Sequence, residues 1–172
     1  TRQEKKNKPI LSFSVNDNTL VVFDNLSKFY AINLATGNII WSKKNQNPFN
    51  SQIKIFDNRI YAIDLSNVLR SYSLKDGSEI WNFKSEDTFL KPTKRNSLIV
   101  NNGKVFFNNS IGDIIAIDAI SGSLLWQTPT QSSLIYENAF NLIMSDLVSD
   151  KKNIIFSNNR NEFYSLNTIN GF

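Results

Sequence analysis

The segment "AIDAISGSLLW", residues 116–126, decides the fold because its spacing recurs along the chain. Related segments are "AINLATGNIIW" at 31–41, "SYSLKDGSEIW" at 71–81 and "SLNTINGF" at 165–172. Each has a small polar residue followed four positions later by a glycine, and all three tryptophans of the chain follow such a glycine by four positions. The glycines, which lie 40, 45 and 49 residues apart, are Gly37, Gly77, Gly122 and Gly171. The chain therefore contains four copies of one unit.

Apolar residues upstream of these glycines recur at matching positions, two residues apart, which is the period of a β-strand. The aligned pairs are Leu20 and Val22, Ile60 and Ala62, Val105 and Phe107, and Ile154 and Phe156. Turn-forming residues, mainly Asn, Asp and Gly, separate the apolar runs. Each copy therefore predicts four short strands, placed in the second copy at about 52–56, 59–63, 68–73 and 79–83.

The connections within a copy are too short for parallel strands, which need a crossover of about a dozen residues or more. The period of the copies is typical of β-propeller blades. The sequence thus predicts an all-β fold, a β-propeller of four-stranded antiparallel blades, with an N-terminal segment at 1–9 and a partial propeller at 10–172. The predicted blades span about 10–44, 51–84, 96–129 and 145–172, and the fourth lacks its outermost strand.

The copies differ in length only in the links between one blade and the next, near 43–50, 84–96 and 127–145. Insertions placed there project from one face of the assembly, where repeat proteins usually carry variable function. A helix over 132–148 is disfavoured because too many positions on its apolar side are polar, so we expect a loop, with at most one helical turn, leading into a strand near Leu147. The candidate partner contacts in these links are Glu86, Asp87, Phe89, Leu134 and Tyr136.

The repeated motif predicts a turn followed by a packing contact. Its polar residue, replaced by Ser73 in the second copy, accepts hydrogen bonds from backbone N–H groups of the turn, and its glycine supplies a positive φ. Its tryptophan buries a large apolar area while the indole N–H reaches a backbone carbonyl. The alternative is one aromatic ligand site per copy, but a feature present in every copy favours packing, which every copy needs. The predicted structural residues are Asn33, Gly37, Trp41, Gly77, Trp81, Asp118, Gly122, Trp126, Asn167 and Gly171.

A second repeat position carries Asp24, Asp64, Asn109 and Asn158. These side chains are either carboxylate or metal ligands along a central channel or turn-forming residues, and turn formation is the favoured interpretation. The adjacent carboxylates in the second link, which would suit acid/base chemistry in a pocket, are interpreted as surface groups.

The composition excludes several classes of chemistry. The chain has no cysteine and no histidine, which rules out disulfides, Ser–His and Cys–His catalysis and the usual His/Cys zinc sites. A net charge of +4 spread along the chain favours a solvated surface over a nucleic-acid site. No run approaches the roughly 20 apolar residues of a membrane span. We therefore predict no catalytic, cofactor-binding or metal-binding residues, no nucleic-acid partner and no direct membrane span.

The pattern A-x-D-x-x-[ST]-G-x-x-x-W resembles the tryptophan-docking repeat of the PQQ-like β-propellers. That family includes quinoprotein alcohol dehydrogenases and outer-membrane assembly lipoproteins of the BamB type. Residues 116–126 match the pattern fully, 31–41 have Asn33 in place of Asp, and 71–81 depart at three positions. The quinoprotein enzymes hold their cofactor under a Cys–Cys disulfide with calcium and a catalytic Asp, so a chain without cysteine does not inherit that activity by resemblance.

The resemblance to the non-enzymatic members implies a protein-interaction scaffold without cofactor. It would be periplasmic and associated with the outer membrane, with a barrel-assembly protein of the BamA type as partner and any lipid anchor outside this sequence. The alternative is a fragment of a PQQ- or quinone-dependent dehydrogenase, or a ligand-sensing propeller. Members of the family close with seven or eight blades, so the chain is either a fragment, which is favoured, half of a ring, or a subunit that completes its ring with a second copy. Self-association through open blade edges follows from the same incompleteness.

Overall fold

The structure, a computed structural model, describes residues 10–86, 94–130 and 143–172. These ranges form β-strands joined by turns and links. The strands are β1 (Leu11–Asn16), β2 (Thr19–Asp24), β3 (Lys28–Asn33), β4 (Ile39–Lys44), β5 (Lys54–Phe56), β6 (Arg59–Ile63), β7 (Val68–Ser73), β8 (Glu79–Lys84), β9 (Leu98–Asn101), β10 (Lys104–Asn108), β11 (Ile114–Asp118), β12 (Leu124–Thr128), β13 (Val148–Ser149), β14 (Asn153–Ser157) and β15 (Phe163–Asn167).

The strands form four antiparallel sheets in chain order: sheet I (β1–β4), sheet II (β5–β8), sheet III (β9–β12) and sheet IV (β13–β15). The first strands of successive sheets lie side by side, β1 next to β5, β5 next to β9 and β9 next to β13. The architecture is a partial β-propeller with these strands innermost, which confirms the predicted fold class.

Two-residue turns between the first and second strands of sheets II and III fix the pairing of those strands. Asp57 and Asn58, which join β5 to β6, have φ of 49° and 57°, and Asn102 and Gly103, which join β9 to β10, have φ of 49° and 70°. Two successive residues with positive φ are what a two-residue hairpin turn requires, and Asn, Asp and Gly adopt that conformation most readily. These turns fix the register of the strand pairs, and with it which residues face each neighbouring sheet.

The core lies between neighbouring sheets rather than within one central mass. Alternate residues of each strand point to opposite faces, so a middle sheet packs on both sides. Three buried clusters result, one for each pair of neighbouring sheets. Representative fully buried side chains are Phe23 and Phe29 between sheets I and II, Leu69 and Phe107 between II and III, and Phe106 and Ile154 between III and IV.

A β-bulge recurs at one place in sheets I to III. The register between the third and fourth strands shifts after Ala31, Ser71 and Ala116. In each case the residue before the shift lies directly opposite the tryptophan of the fourth strand, as Ala31 lies opposite Trp41. A small side chain there leaves room for the indole ring to turn toward the next sheet. This pairing accounts for the small residue that begins the sequence motif.

Candidate interaction face and repeat motif

The polar residue of the motif closes the turn between the third and fourth strands. Oδ1 of Asp118 accepts hydrogen bonds from the backbone N–H groups of Ile120 at 3.0 Å and Ser121 at 2.7 Å, and from the Ser121 hydroxyl at 2.9 Å. Oδ1 of Asn33 makes the equivalent bonds in sheet I, to backbone N–H groups at 3.0 Å. Because the N–H groups stabilise the ionised carboxylate, with that of Ser121 first, the pKa of Asp118 lies below its ordinary value.

Sheet II has a carboxylate at a later position of this turn. In place of an Asx residue it has Ser73, and Oδ1 of Asp76 accepts hydrogen bonds from the backbone N–H of Ser78 at 3.0 Å and from its hydroxyl at 2.7 Å. These bonds, the backbone one first, lower the pKa of Asp76 to about 2. Asp76 therefore takes the place of the hydroxyls of Thr36 and Ser121, which accept the equivalent N–H groups of Asn38 and Ser123 at 3.3 Å in sheets I and III.

Each tryptophan reaches across to the turn of the following sheet. The indole Nε1 of Trp41 donates to the carbonyl of Leu74 at 3.0 Å, that of Trp81 to Ala119 at 3.2 Å and that of Trp126 to Thr168 at 3.4 Å. In all three cases the accepting carbonyl follows the first polar position of the motif. We call this carbonyl, together with the motif glycine of the same sheet, the tryptophan seat.

The glycines of the seats are needed for space as well as for conformation. All have a positive φ, for example 69° at Gly77 and 75° at Gly122. A Cβ on Gly77 would lie 2.8 Å from Cε3 of Trp41, and one on Gly122 would lie 2.7 Å from Cδ2 of Trp81. The indole rings therefore pack directly on backbone, which supports packing rather than ligand binding as the role of the repeated aromatic residue.

The seat of sheet I differs from the other three. Gly37 has a positive φ of 71° like its counterparts, but no described atom lies within 4 Å of the position that a Cβ would take. Leu34, whose carbonyl belongs to this seat, is 47 % exposed.

The second repeat position forms turns at the opposite ends of the sheets, between the second and third strands. Oδ1 of Asp24 accepts from the backbone N–H groups of Leu26 and Lys28, both at 2.8 Å. Asp64, Asn109 and Asn158 each bind the N–H groups two and four residues further on in the same way. The residue three positions on has a positive φ in every sheet, and these residues are Ser27, Asn67, Gly112 and Asn161. The sequence analysis identified the acceptor residues but not the need for a positive φ three positions later. The Ser, Asn and Gly residues found at that position indicate it.

Asp64 also belongs to a buried polar network between sheets I and II. Its side chain is fully buried, and Oδ2 pairs with Nε of Arg70 at 3.2 Å. Arg70 in turn pairs with Glu79 at 2.6 Å, and Nδ2 of Asn45 reaches Asp64 at 3.5 Å. With its oxygens held by a turn and by an arginine, Asp64 has the surroundings of a structural ion pair rather than of a metal ligand.

The links between sheets and the second-to-third strand turns lie at the same end of the array, which we call the linker face. Of the predicted contact residues, Glu86 is exposed on this face, and its backbone carbonyl accepts a hydrogen bond from Nδ2 of Asn67 at 2.9 Å. The other predicted contacts, Asp87, Phe89, Leu134 and Tyr136, lie outside the described residues, as does most of the link predicted as a loop. The opposite end, with the first-to-second and third-to-fourth strand turns, is the turn face.

Polar side chains connect non-adjacent sheets near the inner strands on the linker face. Gln52 of the link before β5 donates from Nε2 to Oδ2 of Asp146 at 3.1 Å, and Lys94 pairs with Oδ1 of the same carboxylate at 3.1 Å. Arg95 donates from Nη1 to the hydroxyl of Ser12 in sheet I. Sequence reasoning did not select these residues, because no local pattern shows that links of different sheets meet.

A cavity of about 230 Å³ opens on the linker face beside Arg95. Its walls include Phe23 and Phe49 of the first buried cluster, together with Asp24 and Pro48. The walls of this cavity thus combine apolar and charged side chains. In sheet III, on the same face, burial raises the pKa of Asp113, whose carboxylate accepts a hydrogen bond from Nε2 of Gln127 at 2.7 Å.

The donor set does not fit the cofactor of the quinoprotein enzymes. Within residues 10–86, 94–130 and 143–172, no three acidic side chains come together in a group that could hold a metal ion. The chain also has no cysteine for a vicinal disulfide. In the same part of the chain, no helix has the length and apolar character to span a membrane.

The family described as "Outer membrane protein assembly factor BamB" matches residues 3–171. Comparison with curated proteins gives no match.

Solved structures share the fold at low sequence identity. The computationally designed Ika4 protein has a TM-score of 0.73 at 12 % identity, covering 95 % of this chain and 94 % of that one. BamB from Moraxella catarrhalis has a TM-score of 0.62 at 15 % identity, covering 95 % of this chain and 50 % of that one. Quinohemoprotein alcohol dehydrogenase from Comamonas testosteroni has a TM-score of 0.56 at 22 % identity, covering 68 % of this chain and 20 % of that one. The chain therefore spans about half the length of the BamB structure and a fifth of the enzyme.

Proposed function

We propose that this chain, which belongs to the family of the outer membrane protein assembly factor BamB, is a non-enzymatic protein-interaction scaffold of the bacterial envelope. The match over residues 3–171 is the observation that carries the proposal. It extends over all four sheets rather than one repeat, so it describes the array as a whole. The location that this family implies is the periplasm at the outer membrane.

The contacts of the acidic side chains favour a scaffold over an enzyme. The side-chain oxygens of the Asp and Asn residues at both repeat positions accept hydrogen bonds from turn N–H groups, as those of Asp24 and Asp118 do. Asp64 is neutralised by Arg70, and Asp146 by Lys94. Groups held in this way serve the fold, and they are poorly placed to exchange protons or bind a cofactor.

The linker face is the binding face in this proposal. Its links are the segments whose length differs between the copies, whereas the turns of the opposite face are nearly constant. Loops on a rigid scaffold are where binding residues concentrate. The partner is a barrel-assembly protein of the BamA type, and the predicted contacts remain Glu86, Asp87, Phe89, Leu134 and Tyr136.

Binding of the purified chain to the BamA-type protein of the same organism tests this proposal. Replacement of residues 87–93 by Gly and Ser, or the charge reversal Glu86→Lys, should raise the dissociation constant about ten-fold or more. Lys75→Glu is the matched control, because Lys75 is an exposed charge of the same sheet on the turn face. No binding by the wild-type chain would overturn the scaffold proposal, while equal effects of Glu86→Lys and Lys75→Glu would overturn the choice of face.

A quinone-dependent dehydrogenase or a ligand-sensing propeller is the second candidate, favoured by the likeness to the alcohol dehydrogenase fold. It requires uptake of PQQ with calcium, which isothermal titration calorimetry measures directly. Absence of heat on titration of PQQ and calcium into the chain eliminates the enzyme for these residues, whereas stoichiometric uptake would displace the scaffold proposal.

A further inference from the structure

A groove of about 390 Å³ opens on the turn face between sheets III and IV. One wall is the turn between β9 and β10 with the start of β10, and the other consists of the turn between β13 and β14 and the turn after β15. The turn after β15 is closed by a bond from the N–H of Gly171 to the carbonyl of Asn167 at 2.9 Å, as its counterparts in the other sheets are. The charged residues of the walls are Lys104, Lys151 and Lys152, and the others are Asn, Thr and Ile.

The equivalent grooves between the other sheets have the opposite balance of charge. At the same repeat positions, the groove between sheets I and II has two acidic residues, Asp17 and Asp57, and one basic residue, Lys75. The groove between sheets II and III has Asp57 and Asp118 with Arg59. Among the three grooves between described sheets, the one between III and IV alone has no acidic residue at these positions. The concentration of cations is therefore a property of this groove and not of the repeat.

The turn between β13 and β14 does not itself require lysine. In sheets I to III the corresponding two-residue turns consist of Asp, Asn and Gly and contain residues with positive φ. Lys151 and Lys152 have no positive φ, and Oδ1 of Asp150 closes their turn by accepting the backbone N–H groups of Lys152 and Asn153, both at 2.6 Å. The two lysine side chains are exposed, so neither the turn nor the core accounts for them.

Hydrogen bonds hold the walls together and leave the ammonium groups available. Nδ2 of Asn101 donates to the backbone carbonyl of Asp150 at 2.5 Å, which ties the hairpin of sheet III to that of sheet IV. Nζ of Lys104 donates to the carbonyl of Thr168 at 3.0 Å, which holds its ammonium group against the groove with two further N–H donors. Within the described residues, no carboxylate forms an ion pair with any of the three lysines.

We propose that this groove binds a phosphate monoester group, presented either by a soluble compound or by a lipid headgroup. Such a group carries roughly 1.5 to 2 negative charges at neutral pH and has three acceptor oxygens, which match the three ammonium groups. Lysine acts on phosphate as a compact point charge. A carboxylate has a single charge and pairs best with the planar fork of arginine, and the described residues that line the groove include no arginine. The site lies on the turn face and is separate from the linker face proposed for the protein partner.

Titration of inorganic phosphate and of glycerol 3-phosphate into the chain, in a phosphate-free buffer and followed by amide NMR signals, tests the proposal in solution. Lys151→Gln combined with Lys152→Gln should raise the dissociation constant about ten-fold or more, because two charge-assisted contacts are lost. Lys44→Gln combined with Lys75→Gln is the matched control, since it removes the same charge from exposed lysines outside the groove. It should change the dissociation constant by less than about two-fold, because salt screens distant charges. Circular dichroism should show the same fold for both double variants.

Co-sedimentation with phosphatidylcholine vesicles, with or without phosphatidic acid, tests the lipid source with the same variants. Binding of glycerol 3-phosphate in solution identifies a soluble phosphate compound as a ligand, and binding to the vesicles that contain phosphatidic acid identifies a lipid headgroup. Absence of binding to every phosphate probe, or equal losses in the two double variants, would overturn the proposal. Tighter binding of a glutamate-rich peptide than of every phosphate probe would also overturn it, because the groove would then recognise carboxylates.

Discussion

The seats of sheets I and III have the same turn and different neighbours. Asn33 and Asp118 bind their turn N–H groups with nearly the same geometry, and Gly37 and Gly122 have φ of 71° and 75°. Yet Trp81 packs on Gly122, while no described residue approaches Gly37. The turn therefore forms from local chemistry alone, and its use as a docking site is a separate property that depends on the preceding sheet, which supplies the tryptophan. Gly37 is required only for its positive φ, whereas Gly122 is required both for its positive φ and for the space that Trp81 occupies.

Loss of an indole from an interior seat should have the largest effect. Trp81 packs against Gly122, donates to the carbonyl of Ala119 and lies 5.9 Å from the ring of Tyr61. Trp81→Ala should lower the free energy of unfolding by about 2 kcal/mol or more, because it removes a large, partly buried aromatic side chain that packs against the second cluster. Urea unfolding followed by circular dichroism measures it. A loss below about 1 kcal/mol would mean that the seat contributes little.

Loss of the turn acceptor should have a smaller effect that is the same at both seats. Asp118→Ala and Asn33→Ala each remove an oxygen that accepts two backbone N–H groups. Each should lower the free energy of unfolding by about 1 kcal/mol. Equal losses, measured by the same urea method, would show that the turn is independent of docking. A large loss at Asp118 together with none at Asn33 would break the comparison.

The charge of Asp118 should have the smallest effect, visible only in acid. Its pKa is lowered in the folded state from an ordinary value of 3.8, so the ionised side chain stabilises the fold above that pH. This contribution is lost as pH falls through the lowered folded value. Asp118→Asn keeps the acceptor oxygen, as in sheet I, and lacks the titration.

The stability advantage of wild type over Asp118→Asn should therefore shrink as pH falls below about 4. Thermal unfolding at pH 7 and pH 3 measures it. An advantage that grows in acid would have the wrong sign for a carboxylate with a lowered pKa.

The sequence predicted most of the sheet architecture because four aligned copies show strand and turn positions that a single copy leaves ambiguous. Strands β6 and β7 have the predicted bounds, and β8 extends one residue beyond them. Strand β5 begins at Lys54 rather than near Gln52, because residues of that segment pair with the next sheet instead. Ser51 bridges to Asn96, and the N–H of Gln52 donates to the carbonyl of Asn96 at 3.4 Å. Such pairing between sheets is tertiary and leaves no local pattern.

The sequence predicted the parts of the motif and not their partners. It indicated that an indole N–H reaches a carbonyl, but it did not show that Trp41 serves the turn containing Gly77 in the next sheet. Nor did it show that Asp76 of sheet II takes the place of the Thr36 and Ser121 hydroxyls of sheets I and III. The inner contacts around Asp146 join residues that are 94 and 52 positions apart, so only the side-by-side arrangement of the sheets brings them together. The partner contacts on the linker face stay predictions.

A matched pair of glycine substitutions tests the two roles of the motif most directly. Gly37→Ala and Gly122→Ala both place a Cβ on a residue with positive φ, which is strained by about 1 kcal/mol or more. At Gly122 the Cβ would also lie 2.7 Å from Trp81, whereas at Gly37 it meets no described atom. Urea unfolding should therefore show that Gly122→Ala loses about 2 kcal/mol more than Gly37→Ala, because of the additional overpacking. Equal losses for the two variants would contradict the tryptophan seat as the contact that joins neighbouring sheets.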